Sequence, residues 1–171
     1  DRIFEPLADE TDVSLTLVTN GKRCRDAAYH ALFRTKARRA CVQVSLDTLE
    51  PNNLKRADPA AVLALIAHIG HMARQASSPS HDCCVEVHCV ISRENLHMFD
   101  QFAHFMAGKG VGTSLAMVCP WKIADAPSRF NEFSRAEALD IADRIDRLRT
   151  CTGVDRFNPV VAANIRRMLN V

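Results

Sequence analysis

The chain has 171 residues, 47% of them hydrophobic and 25% charged, with a formal net charge of +2. That is enough apolar material for a domain with a sizeable core, and the near-balance of charge excludes the strong one-signed field of a nucleic-acid or anionic-membrane binder. No apolar run approaches the ~20 residues that span a bilayer.

The start, Asp1-Arg2-Ile3-Phe4-Glu5, lacks a methionine and has no signal-peptide shape. It is read as a point inside a longer or trimmed sequence, with Arg2 to Ala8 as the end of a preceding helix. The first strand is Asp12 to Val18 (DVSLTLV), β-branched, short and bounded by Asn20-Gly21. A helix over Arg23 to Arg34 follows, with Ala27, Ala28, Ala31 and Leu32 on one face. The densest basic run, Arg34 to Arg39, reads as a solvated helix end and loop. Cys41 to Leu46 (CVQVSL) is the second strand. Asp58-Pro59 opens the next helix, Asp as N-cap and Pro at the first helical position. Its apolar stripe is Val62, Leu65, Ile66, Ile69 and Met72.

Ser77 to Ser80 is a loop, and Cys84 to Ile91 (CVEVHCVI) is the third strand. A helix over Arg93 to Ala107 carries Leu96, Phe99, Ala103 and Met106 on one side and is ended by Gly108 and Gly110. Ser114 to Cys119 (SLAMVC) is the fourth strand, stopped by Pro120. Ser134 and Glu137 form a capping box for a helix over Arg135 to Arg149, whose inner stripe is Ala138, Ile141, Ala142, Ile145 and Leu148. A last helix runs from Pro159 to Leu169 through Val161, Ile165, Met168 and Leu169. The order βαβαβαβα plus a helix argues for an α/β chain of parallel (β/α) repeats with right-handed crossovers. Four such units make half or part of a TIM-like barrel. Residues 1–150 are expected to form that unit, and 151–171 a C-terminal helical extension.

Seven cysteines stand at 24, 41, 83, 84, 89, 119 and 151. Their odd number and apolar settings read as free thiols of a cytoplasmic protein and not as a disulfide framework. No pair is spaced CxxC and no three are spaced CxxxCxxC, so no metal ligands are assigned. Cys83 and Cys84, neighbours in a strand, point to opposite faces.

The strand period of two also sorts the polar residues. Val42, Val44 and Leu46 share one face of the second strand, and Cys41, Gln43, Ser45 and Asp47 the other. In the third, Val85, Val87, Cys89 and Ile91 oppose Cys84, Glu86, His88 and Val90. Helices cover the apolar face, so Gln43, Ser45, Asp47, Glu86 and His88 are expected on a common concave surface, with Thr19 and Asn20 at the end of the first strand beside them. Strand C-termini are where parallel α/β architectures place ligands. The same residues are also compatible with turns, an Asp cap and a hydrogen-bonded core histidine.

Three segments, in order, carry a resemblance: Val18-Thr19-Asn20-Gly21 at the first strand end, Val44-Ser45-Leu46-Asp47 at the second, and Val90-Ile91-Ser92-Arg93-Glu94-Asn95-Leu96 from strand to helix. With Lys109-Gly110-Val111, Cys119-Pro120-Trp121 and Phe133 to Ala138 they resemble the C-terminal part of the partial barrel in the radical S-adenosylmethionine superfamily, over roughly residues 12 to 150. The resemblance implies a 4Fe–4S cluster and S-adenosylmethionine in the full-length protein, cleaved to a 5′-deoxyadenosyl radical. It implies cofactor contacts from Thr19, Asn20, Ser45 and Asp47, with Glu86 or His88 at the third strand's inward position. The family's CxxxCxxC loop and glycine-rich strand end are absent here, so the chain alone is expected to bind no cluster, and no catalytic residue is assigned. The alternative, from a different class, is a cluster-free relative serving as a binding or partner module. An aldolase-like or phosphate-binding half-barrel would need a strand lysine or a glycine-rich strand-to-helix turn, and neither is present. Expected partners are a small-molecule or peptide substrate, with no nucleic acid and no membrane. Self-association through an unpaired edge of the first strand is also expected.

Overall fold

A computed structural model describes residues 4–21, 26–50, 58–117, 133–152 and 160–170. The chain is α/β. Strands β1 (Ser14–Thr19), β2 (Arg39–Ser45), β3 (Asp82–Ile91) and β4 (Gly112–Met117) form a parallel four-stranded sheet in sequence order. Helices α1 (Asp26–Phe33), α2 (Pro59–Ala76), α3 (Phe99–Gly108), α4 (Arg135–Thr152) and α5 (Val160–Met168) alternate with and follow the strands. Among the described residues no helix is long and apolar enough to cross a membrane. The chain divides into two compact units, Asp1–Leu46 with Glu50–Val87, and Asp47–Leu49 with His88–Val171.

In the first unit β1 pairs with β2 from Ser14↔Arg39 to Thr19↔Val44. The period of two holds along β2, where Val42 and Val44 are fully buried and Gln43 and Ser45 half-buried. Tyr29 and Leu32 of α1 and Val62, Ile66 and Ile69 of α2 are buried with them. The Asp58 carboxylate accepts the Ala60 N–H and Pro59 occupies the first turn of α2, as the sequence requires. Cys41, on the opposite face from Val42, is also buried at 2% exposure, so that face is not purely polar.

Gly21, just after β1, has φ +77°, and a Cβ there would lie 2.9 Å from Leu65 Cδ2. Gly110 has φ +67° with open space around it. It closes α3 in a Schellman arrangement, its N–H on the Ala107 carbonyl and the Val111 N–H on the Met106 carbonyl. Gly110→Ala is therefore expected to cost about 1 kcal/mol for the left-handed backbone alone. Gly21→Ala is expected to cost about 2 kcal/mol, because the clash with Leu65 adds to that strain. Urea unfolding of the two variants checks the order, and equal losses would refute it.

In the second unit the inner faces of α3, α4 and α5 supply Phe99, Phe102, Met106, Ile141, Ile145, Leu148 and Ile165 to one core. The capping box of α4 is formed: the Ser134 N–H donates to Glu137 Oε2 at 2.6 Å, and the Glu137 N–H donates to Ser134 Oγ at 3.2 Å. Two expectations are corrected here. The helix expected from Arg93 starts later: a 3-10 turn, Leu96–Met98, precedes α3, because the Asn95 side chain is engaged in closing the turn that follows β3. In α5 the buried residues include Ala162 and Ile165, whereas Met168 is 43% exposed, so the inward stripe is rotated from the one expected. Cys119, Pro120, Trp121 and Pro159 lie outside the described residues, as do Arg23 and Cys24.

Candidate functional site

The expected strand-end residues separate by face and by occupation. Thr19 pairs with Val44 and therefore shares the helix-covered face with it, not the face of Ser45. This corrects the expectation that Thr19 and Ser45 sit side by side. Thr19 is buried and its Oγ1 accepts the Gly21 N–H at 3.0 Å, which fixes the turn after β1. Continuing the β1–β2 register by one residue brings Asn20 beside Ser45. Asn20 is exposed, and the half-buried Ser45 hydroxyl makes no hydrogen bond among the described residues.

Glu86 is not open to a ligand. Its side chain, 8% exposed, forms an ion pair with the Arg39 guanidinium. The same Arg39 nitrogen donates to Cys84 Sγ at 3.4 Å. The Cys41 and Cys84 sulfurs and a Glu86 carboxylate oxygen all lie within 4.8 Å of one another. The strand register brings them together. In a parallel ladder a strand's N–H bonds the carbonyl preceding its partner. The Arg39 N–H bonds the Val13 carbonyl where Arg39 faces Ser14, so the Asp82 N–H on the Arg38 carbonyl sets Asp82 across from Arg39. Two residues on, Cys84 faces Cys41 on one side of the sheet. Sequence reasoning placed Cys41, Cys84 and Glu86 on that side but did not foresee Arg39, which lay in a loop by the strand assignment. Arg39 shares the odd-numbered face with Cys41 and Gln43 once the strand is extended back by two residues, and that was the available signal.

Electrostatics in this cluster follow from who donates. The neighbouring Cys41 thiol and the hydrogen bond from Arg39 outweigh burial to hold Cys84 below the ordinary thiol range. Cys41, beside the Cys84 sulfur and itself buried, is pushed up. Burial works against the Arg39 charge, but Cys84 and Glu86 overcome it, and its pKa is raised. On the other face Cys83 is pushed up to about 11, chiefly by burial.

The two remaining residues belong to the second unit. Asp47 Oδ1 accepts the Val90 N–H at 2.8 Å. Asn95 Nδ2 donates to the carbonyls of Asp47 and Val90 at 2.7 and 2.8 Å, while its Oδ1 accepts the Ser92 N–H at 2.8 Å. Asp47 and the buried Asn95 thus lace the segment after β2 to the end of β3. Asn95 was read only as part of a motif. Its position three residues after Ser92, from which a side chain can reach back to that N–H, was the sign of this role.

His88 is half-buried, its Nδ1 3.0 Å from Ser114 Oγ. Burial holds its pKa below the ordinary value of 6.5. Above that value both folded and unfolded chains carry a neutral ring. As pH falls through it the unfolded chain takes up the proton first, and stability drops until the folded ring also titrates. Thermal unfolding from about pH 7.5 to about pH 5.5 is expected to show a decline that His88→Asn reduces. An identical decline in the variant would refute the assignment.

Among the described residues the donor set Cys41, Cys84 and Glu86 is the one group with metal-ligand spacing. Two thiolates and a carboxylate beside a guanidinium do not fit a 4Fe–4S cluster, which takes three or four cysteine thiolates. No family model, curated protein or solved structure matches the chain.

Proposed function

We propose that the chain is the C-terminal part of a radical S-adenosylmethionine-type partial barrel, contributing cofactor- and substrate-binding strand ends. The observation that supports this best is the parallel sheet in strict sequence order, β1-β2-β3-β4, which is the order a (β/α) barrel segment requires. Strand β1 stands at the end of that order with Val18 60% exposed, where further strands of a barrel would add. The Ser45 hydroxyl, half-buried and without an internal hydrogen bond among the described residues, beside Asn20, suits a small polar ligand at the C-terminal rim of β1 and β2. Thr19 and Glu86 are engaged internally, and on this reading Ser45 is the cofactor contact of the first unit, with Asn20 beside it. Asp47 holds the neighbouring turn.

On this reading the full-length protein supplies the cluster's cysteines, which this chain does not carry in CxxxCxxC spacing. In the complete gene product, S-adenosylmethionine is expected to bind, and Ser45→Ala to weaken it about fivefold, the ~1 kcal/mol of one net hydrogen bond. Equilibrium titration reads this, with circular dichroism to show an unchanged fold. An unchanged affinity removes Ser45 from the site, and no binding by the wild-type product removes the reading. Binding by a product that takes up no iron and sulfide would instead favour the cluster-free binding module.

A further inference from the structure

The meeting of Cys41, Cys84 and Arg39 on one face of the sheet is not explained by a cofactor rim, and it does not rest on the reading above. From this geometry we infer that Cys84 is a peroxide-reactive cysteine and that Cys41, facing it on the next strand, resolves the oxidised form to a disulfide.

Three observations converge. The first is reach: neighbouring strands run ~4.8 Å apart, within the Cα separation that disulfides adopt, and the two sulfurs already lie within 4.8 Å of each other. The second is activation. A guanidinium donating to Cys84 Sγ at 3.4 Å stabilises a thiolate there. The third is access. Cys84 is half-buried, open enough for a small oxidant, whereas Cys41 is only 2% exposed. A low-lying thiolate next to a second thiol is the arrangement that turns sulfenic acid into a disulfide before further oxidation.

The chemistry balances with hydrogen peroxide as the oxidant. The Cys84 thiolate attacks one peroxide oxygen, the O–O bond breaks, and hydroxide leaves with the electron pair, giving the sulfenic acid. The Cys41 sulfur, losing its proton to that hydroxide, attacks Cys84 Sγ. The S–S bond forms, the S–O bond breaks, and the second hydroxide takes up a proton as water. Two thiols and one peroxide become one disulfide and two waters. Arg39 stays paired to Glu86 throughout and acts as a positioning residue for the thiolate. A soft cation could use the same donors only by displacing that guanidinium, and the charge already present argues against it.

The test uses the full chain, reduced, desalted and treated with a stoichiometric amount of hydrogen peroxide at neutral pH. Peptide mapping is expected to find a Cys41–Cys84 bridge as the main product, with the loss of two hydrogens. Cys41→Ser should instead accumulate a sulfenic acid on Cys84 that a dimedone-type probe traps. In the untreated protein, iodoacetamide should label Cys84 faster than the more exposed Cys151, and Arg39→Gln should slow Cys84 about tenfold while leaving Cys151 unchanged. Four results would overturn the inference: oxidation confined to Cys151, a bridge from Cys84 to any other cysteine, a Cys84 sulfenic acid that persists while Cys41 is present, or stoichiometric zinc that shields both thiols. Bridge formation in the wild-type chain needs no variant to fold.

Discussion

Replacing Phe102 with alanine is expected to lower the stability of the second unit by about 3–5 kcal/mol, the range for emptying a buried aromatic site. Phe102 is 1% exposed on α3, in a core shared with Phe99, Met106, Ile141 and Ile145. The ring cannot be replaced by solvent there, and helices held by interdigitating side chains relax only in part around a cavity. The same helix supplies the control. Phe105, three residues on, is 36% exposed, with the Lys109 ammonium 5.5 Å from its ring centre. Phe105→Ala is expected to cost no more than about 1 kcal/mol, the worth of an exposed cation–π contact and partial burial. Chemical unfolding of the two variants decides the matter, and similar losses would mean that α3 does not bury the face described.

That contrast also shows what the sequence could and could not give. The stripe expected on α3 was Leu96, Phe99, Ala103 and Met106. It found the right face but omitted Phe102, because a run with phenylalanines at 99, 102 and 105 is apolar on more than one side and periodicity alone cannot choose. Strand and helix alternation was legible throughout, since a short β-branched run and a 3.6-residue stripe have different periods. Ends were less legible. The Arg93–Asn95 stretch has helical composition, yet Asn95 spends both ends of its amide on neighbouring backbone groups, and helix starts only beyond it. That is a tertiary demand invisible to propensity.

The candidate site was legible as faces and not as partners. The period of two correctly set Cys41, Cys84 and Glu86 together, and Ser45 away from Val44. It could not give the register between β1 and β2, on which the placement of Thr19 turns, because the period of two orders side chains within a strand and not between strands. Nor could it tell a carboxylate facing a ligand from one facing an arginine. A strand beginning at Cys41 puts Arg39 in a loop, whereas β2 begins at Arg39, whose side chain is the counter-ion of Glu86.

The strength of that counter-ion is the second large effect expected. Glu86→Leu should destabilise the first unit by about 3 kcal/mol, toward the low end of the cost of breaking a buried ion pair. Two features keep it from being larger. The Arg39 side chain is 24% exposed, so water shares its charge. Asp82, 3.7 Å from Arg39 Nε and itself 66% exposed, remains as a weaker partner. What is lost is mainly the compensation of a guanidinium held against the sheet, and only secondarily a favourable bond. The double variant Arg39→Met, Glu86→Leu removes both charges and keeps apolar volume, so it should return to within about 1 kcal/mol of the parent chain. Arg39→Met alone leaves the Glu86 carboxylate buried and unpaired and adds its own cost, so the coupling between the two sites would be at least about 2 kcal/mol, well outside the additivity of independent positions. Because the pair is mostly removed from solvent, the coupling should change little when salt is raised. Urea denaturation of the four proteins of this cycle, at low and high salt, measures it. Additive losses would show that Glu86 and Arg39 are neighbours without dependence. A coupling abolished by salt would place the pair in solvent and deprive Cys84 of the fixed cation that its reactivity requires.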